Sequence, residues 1–217
     1  MIVGKFVAVA VIAYLIGAIP FGMIMSRLMG GIDISKYGSG NIGGTNVYRI
    51  LGTKAGVIVI VLDLAKAIIA VLLAWVIIRN DVLVVAGVNA DWHWGKVLAA
   101  LMVMVGHNWS VYIKFHGGKG VATYFGAWFA IYWPAAIVGG IILILAVLRS
   151  QYMSLGSILA ACGILCLFII LTAFYSWPPI YLVYSIIAAS LIFYQHRTNI
   201  NRLQNGTESR LNIPLMK

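Results

Sequence analysis

Ala55-Gly56-Val57-Ile58-Val59-Ile60-Val61-Leu62-Asp63-Leu64-Ala65-Lys66-Ala67-Ile68-Ile69-Ala70-Val71-Leu72-Leu73-Ala74-Trp75-Val76-Ile77-Ile78 is an almost unbroken apolar run with one acidic and one basic residue inside it. About 20 apolar residues, at 1.5 Å of rise each, cross the ~30 Å hydrocarbon core of a bilayer as a helix. The stretch therefore reads as a membrane span, and the rest of the chain repeats its character. Upstream, Phe6 to Ser26 is a first span, kinked at Pro20 and read as a retained helix rather than a signal peptide. Downstream, a short third span starts near Val97, passes Gly106-His107-Asn108 and continues weakly to Ile113. Val121 to Leu148 is apolar but interrupted by Pro134, and is read as two short helices joined at Trp133-Pro134, with one long kinked helix as the alternative. Ile158 to Ala173 and Ile180 to Tyr194 complete seven spans, separated by the Trp177-Pro178-Pro179 turn. The expected fold is an all-α integral membrane protein of about seven transmembrane helices, forming one polytopic domain over residues 1–217.

Composition supports this. Of 217 residues, 63% are hydrophobic and 9% charged, against about 25% charged in soluble domains; the mean hydropathy is +1.01. Lys and Arg outnumber Asp and Glu by 15 to 5. The basic residues are scattered over short loops and form no stripe, which argues against nucleic acid as a partner. Cys162 and Cys166 lie four apart in an apolar run and read as small residues of one helix face. The four histidines show no ligand spacing and acids are scarce, so no metal is expected.

Seven spans put the ends on opposite sides, and the positive-inside rule chooses between the two orientations. With the N-terminus outside and the C-terminus cytoplasmic, the inner side holds 11 basic residues, from Arg27 to Lys217, and the outer side three, Lys5, Arg79 and Lys96; Lys66 lies within a span. Every Gly-, Ser- and Asn-rich motif then faces the cytoplasm, and one site assembled from several loops is the economical reading.

Four motifs carry the chemistry. Gly38-Ser39-Gly40-Asn41-Ile42-Gly43-Gly44-Thr45-Asn46 combines glycines, which let backbone N–H groups wrap an anion, with neutral hydroxyl and amide donors. Arg49 adds a fork-shaped cation suited to phosphate. Gly117-Gly118-Lys119-Gly120 opens a predicted helix, and a helix N-terminus after glycines is an anion site. It is not a nucleotide P-loop: the first glycine of that pattern is replaced by Ile113, and Gly120 stands where Ser or Thr belongs. Ser154-Leu155-Gly156-Ser157 either caps the sixth span or offers hydroxyls to the site. His196-Arg197-Thr198-Asn199-Ile200-Asn201-Arg202 follows the last span directly. His107-Asn108 reads first as structural. Asp63 and Lys66 read as an ion pair on one helix face, or as part of a transport pathway. No Gly-x-Ser-x-Gly, Cys–His pair or carboxylate pair is present, so an enzyme here would rely on a substrate that brings its own reactivity.

In order along the chain, Gly-Ser-Gly-Asn-x-Gly-x-Thr-Asn-Val-x-Arg at 38–49, Gly-His-Asn and Phe-x-Gly-Gly-Lys-Gly-Val-Ala-Thr within 106–123, Ser-Leu-x-Ser at 154–157, and His-Arg-x-Asn-Ile-x-Arg-Leu with Gly206 and Glu208 in the tail resemble the bacterial membrane acyl-phosphate:glycerol-3-phosphate acyltransferases of the PlsY type. The resemblance implies seven helices in the bacterial inner membrane with the site on the cytoplasmic face. It implies acyl transfer from acyl phosphate to the 1-hydroxyl of glycerol 3-phosphate, the first acylation of phospholipid synthesis, and no cofactor. Membrane lipid and both substrates are the implied partners, with a functional link to the enzyme that makes acyl phosphate. Expected catalytic residues are Ser39, His196 and Asn199. Expected phosphate-binding residues are Asn41, Thr45, Asn46, Arg49, Gly117, Gly118, Lys119, Gly120 and Ser157. Two residues depart from the family pattern. His116 replaces a common Lys beside the phosphate loop, which removes a charge, and Ser110 stands where Pro is frequent.

Overall fold

A computed structural model describes residues 2–211; Lys217, counted among the inner-side charges above, lies outside them. The chain divides into two compact units at Ile131/Tyr132. Among the described residues, four helical stretches are long and apolar enough to cross a membrane: Ile2–Gly30, Thr53–Ile78, Val121–Ser150 and Met153–Tyr175. A fifth follows if Pro179–Gln195 and Arg197–Gln204, bent by 59°, count as one span.

The first unit begins with α1 (Ile2–Ala18) and α2 (Phe21–Gly30). The expected kink falls at Ile19-Pro20, where the helix is interrupted because Pro20 lacks an N–H and adopts ψ 71°. Gly31, at φ 63°, closes α2 by donating to Arg27 O. A 3-10 turn, Ile34–Lys36, and a short helix, α3 (Gly44–Leu51), then sit inside the stretch read above as loop. α4 (Thr53–Ile78) is the apolar run itself. An antiparallel hairpin, β1 (Leu83–Val85) and β2 (Val88–Ala90), follows, turning at Ala86-Gly87, both with positive φ. α5 (Trp92–Asn108) starts five residues before the expected Val97, because Asp91 accepts from the His93 N–H at 2.9 Å and caps it. A second 3-10 turn, Val111–Ile113, takes the place of the weak continuation of that span.

α1 and α5 run parallel, and both oppose α4. Lys5 pairs with Asp81 just beyond the end of α4, and Gly95 near the start of α5 abuts Ile78. At the other end the Ser110 hydroxyl donates to Ala18 O (2.5 Å) and Tyr14 Oη donates to Trp109 O (2.9 Å). Gly17 and Gly106 allow the approach, since a Cβ on either would collide with the backbone of the other helix. Both glycine-rich segments of this unit, 38–46 and 117–120, therefore lie at the same end.

α6 (Val121–Ser150) crosses from the first unit into the second and leaves helical backbone at Tyr132 (φ −155°, ψ 90°), one residue before the expected turn. In the second unit, α7 (Met153–Tyr175) begins at Met153 instead of Ile158 and α8 spans Pro179–Gln195. Ser176, at φ 53°, ends α7, and Pro179 starts α8, where its missing N–H costs nothing. Tyr132 docks on Trp177, with ring centres 4.5 Å apart, and on Phe168 at 6.1 Å, while Tyr181 packs on both partners. α9 (Arg197–Gln204) is helix where the sequence suggests only a polar tail.

Candidate active site

The first loop is shaped by one amide. Asn46, 2% exposed on α3, accepts the Ser39 N–H at Oδ1 (3.0 Å) and donates from Nδ2 to the carbonyls of Tyr37 (2.9 Å), Asn41 (2.9 Å) and Ile34 (3.4 Å). Gly38 must be glycine here: its φ is 58°, and a Cβ would strike Asn46 Oδ1. Asn41 Oδ1 accepts the Gly43 N–H at 2.8 Å. Below lies an apolar cluster of Ile34, Ile42, Val47, Ala55 and Val59. The loop is thus a built object with its own core, and it holds Ser39 exposed at its tip. Thr45 and Arg49, four apart on α3, share one face of that helix. Of the expected phosphate contacts, Asn46 commits both ends of its amide to the loop and Asn41 its side-chain oxygen. Asp33 caps the 3-10 turn, and its bonds from Ser35 hold its carboxyl below its usual range.

The second loop is fastened to the end of α5. The Gly118 N–H donates to His107 O (3.0 Å), and the Ser110 N–H donates to His116 O (3.1 Å). Ser110 thereby ties the loop to both α1 and its own far side. Cβ atoms on Gly117 or Gly118 would collide with the backbone or ring of 107–108. Gly120, at φ 79°, delivers the chain into α6, and the Thr123 hydroxyl donates back to Gly120 O (3.0 Å). The first amides of a helix have no intrahelical carbonyl to bond, so this N-terminus retains its pull on anions. Lys119 is half-buried beside it and His116 is exposed.

Beneath this loop lies a charged cluster within the span region. Lys66 Nζ is 2.7 Å from Asp63 Oδ1, 3.0 Å from His107 Nδ1 and 2.9 Å from Ile19 O, and all three side chains are buried. His107 is thus structural, as first read, though its partners come from a helix the sequence did not connect to it.

In the second unit Glu208 organises the tail. Its Oε1 accepts from Ser154 Oγ (2.8 Å) and Asn199 Nδ2 (2.6 Å), and its Oε2 from Arg202 Nε (2.8 Å). Burial pushes its pKa up, but these hydrogen bonds and the Arg202 charge outweigh burial and hold it below the usual range. His196, 3% exposed, has Nδ1 2.8 Å from Ile192 O. A carbonyl can only accept, so Nδ1 carries the proton and the lone pair of the neutral ring sits on Nε2. Neither serine of 154–157 caps α7, whose N-cap is Tyr152; Ser157 Oγ donates to Met153 O (2.8 Å) one turn back. Sequence reasoning missed the hub role of Glu208. Its signal was a lone carboxylate among the basic residues of the tail. Among the described residues no cluster of three or more His, Cys, Asp or Glu is arranged to hold a metal.

The family profile described as glycerol-3-phosphate acyltransferase matches residues 7–206. Glycerol-3-phosphate acyltransferase 3 of Dehalococcoides mccartyi is 42% identical over 212 residues, covering 98% of each chain. A glycerol-3-phosphate acyltransferase of a Thermoanaerobacter species is 39% identical over 205 residues, 94% of this chain and 95% of the relative. The fold is similar to that of PlsY, an integral membrane glycerol 3-phosphate acyltransferase, in the crystal structure of its glycerol 3-phosphate form, with a TM-score of 0.81 and 36% identity over 94% of each chain. For the lysophosphatidic acid form the TM-score is 0.79. The motif order, the integral membrane fold and these matches over nearly the whole length agree: the chain belongs to the PlsY family of membrane glycerol-3-phosphate acyltransferases.

Proposed function

We propose that this protein transfers a fatty acyl group from acyl phosphate to the 1-hydroxyl of glycerol 3-phosphate, giving 1-acyl-glycerol 3-phosphate and phosphate, as the first acylation of phospholipid synthesis. The observation that carries the reading is the family match across 94–98% of the chain, on a chain whose glycine loops suit two phosphate-bearing substrates. The donor is the finer part. It is supported by the chemistry available: among the described residues no nucleophile–base pair for a covalent intermediate stands out, and an acyl phosphate is an activated anhydride that needs none.

In the proposed step the 1-hydroxyl oxygen attacks the acyl carbon, the bond from that carbon to the phosphate oxygen breaks, and phosphate leaves with the electron pair. The hydroxyl proton passes to the departing phosphate or to His196 Nε2, the position that the Nδ1 bond to Ile192 O favours. Arg49 and Lys119 neutralise and align phosphates, with Thr45, Asn41, the glycines 117, 118 and 120, and Ser157 assigned to the same task. Ser39 donates to the developing oxyanion. Asn199, steadied by Glu208, presents its amide to the reacting groups. Asn46 acts through the shape of the first loop. No cofactor takes part. The chain works as one polytopic domain, supported by a family profile that runs through both units. It would lie in the bacterial inner membrane with seven spans, N-terminus outside and the site cytoplasmic, taking acyl phosphate from the enzyme that makes it.

The test is to mix the purified protein with acyl phosphate and glycerol 3-phosphate and follow lysophosphatidate and released phosphate, with acyl thioesters as comparison donors. Turnover with acyl phosphate alone is expected. Ser39→Ala, Arg49→Ala, His196→Ala and Asn199→Ala should each lower the rate by at least about tenfold, the loss of one charge-assisted or transition-state hydrogen bond. If all four keep near wild-type rates, the site is elsewhere.

A further inference from the structure

Asn108 is the last residue of α5 and is 3% exposed. Neither its Oδ1 nor its Nδ2 has a hydrogen-bond partner. Two neighbouring polar groups are already paired. His107 O accepts the Gly118 N–H, Gly118 being part of the glycine loop, and the buried Thr123 hydroxyl donates to Gly120 O. Asn108 lies directly against the glycine that opens α6: a methyl built on Gly120 would stand 2.9 Å from its Oδ1 and 3.4 Å from its Nδ2. Any residue but glycine at 120 would cover the amide. Burying an amide with both ends unsatisfied is costly, so the arrangement calls for a ligand that completes it.

The chemistry of that ligand follows from the amide itself, which has a donor and an acceptor. An ionised phosphate beside the α6 N-terminus supplies oxygens to Nδ2 and nothing to Oδ1. A hydroxyl supplies the missing donor. An acyl phosphate has phosphate oxygens and no hydroxyl, whereas a phosphate monoester of a polyol has both. We propose that Asn108 binds the acceptor substrate, Nδ2 donating to a phosphate oxygen and Oδ1 accepting from a hydroxyl of the same polyol phosphate. This rests on the acyltransferase reading for the identity of that molecule as glycerol 3-phosphate.

The experiment compares the full-length protein with Asn108→Leu and Asn108→Ala, purified in detergent, by thermal melting and by steady-state kinetics. Without ligand both variants should melt no lower than wild type, because the substitution removes an unsatisfied buried amide. Glycerol 3-phosphate should raise the melting temperature of wild type more than inorganic phosphate or glycerol does, and the variants should lose that advantage. The KM for glycerol 3-phosphate should rise about tenfold or more, one to two hydrogen bonds' worth, while the KM for acyl phosphate stays within about twofold. The proposal is overturned by an unchanged response to glycerol 3-phosphate, by a rise confined to acyl phosphate, or by variants that unfold or melt far lower, since each makes the amide structural or places it elsewhere. If wild type binds glycerol 3-phosphate but transfers no acyl group, the reaction reading fails alone, and the melting comparison still decides the role of Asn108.

Discussion

Glu208 joins Ser154, Asn199 and Arg202 through three hydrogen bonds of 2.6–2.8 Å, with its own side chain 5% exposed. Its pKa lies below the ordinary glutamate range, about 4.3. A carboxylate depressed in the folded state stabilises fully above the unfolded value and loses that contribution as pH falls through the folded one. Melting of the detergent-solubilised protein should therefore decline as pH drops below about 4.3, and Glu208→Ala should lower the neutral-pH melting point and flatten this acid limb. The ion-pair share is small, about 1 kcal/mol or less, because Arg202 is 41% exposed; most of the loss comes from unpairing Ser154 and Asn199. A variant whose pH profile overlays wild type would show that the tail is held by other contacts. Glu208 also marks how far the sequence reaches at this scale. Residue types were readable because phosphate chemistry selects Arg, Lys, Ser and Asn. Which polar groups spend their hydrogen bonds on one another was not, because Glu208 and Ser154 are 54 positions apart and share no periodicity.

At the scale of elements, hydropathy made the long helices plain, since α4 needs only its length and apolar character to be seen. The pieces that depart from the reading are short and set by local chemistry. α3 is eight residues long and starts at the second of two glycines, and the 83–90 hairpin has three-residue strands. The early start of α5 depends on a cap by Asp91 rather than on hydrophobicity. Asp63 and Lys66 were legible as an ion pair from their spacing. Their union with His107 of α5 and Ile19 O beyond α1 was not, because it depends on how three helices cross. That union explains why the charges sit in a span: each finds its partner inside the protein, so no transport pathway is needed to account for them. Removing one partner leaves the others buried and uncompensated, a cost of about 3–5 kcal/mol, whereas replacing the set by apolar residues of similar volume costs much less. Asp63→Ala should accordingly melt far below wild type, and Asp63→Leu with Lys66→Met and His107→Leu should recover much of the loss. If the triple variant melts no higher than the single one, the cluster stabilises through its specific geometry and not through charge balance.

For the whole molecule the number of crossings turns on 121–150. As one straight helix this stretch would be about 45 Å long, well over the ~30 Å core; split at Tyr132, its first part, 121–131, is only about 16 Å. Neither length fits an ordinary span, so length does not choose. Charge does. With seven crossings the basic residues divide 11 to 3 in favour of the side holding the first loop. With six, the tail and Arg149 change sides and the division becomes 6 to 8, with no bias left. Arg149 and the tail's Arg197, Arg202, Arg210 and Lys217 are the residues that move, and each is worth about 1 kcal/mol at an anionic inner surface. The aromatic residues Trp133, Tyr132 and Trp177 near the break supply the interfacial anchoring that a short crossing needs. Seven crossings are therefore expected. The measurement is impermeant thiol labelling of intact cells carrying single cysteines at Val3 or Asn205 in a Cys162→Ala, Cys166→Ala background. Position 3 should label from outside and position 205 only after the membrane is opened. Labelling of both from outside would establish an even number of crossings, and would place His196 and Asn199 on the face opposite that proposed for the site.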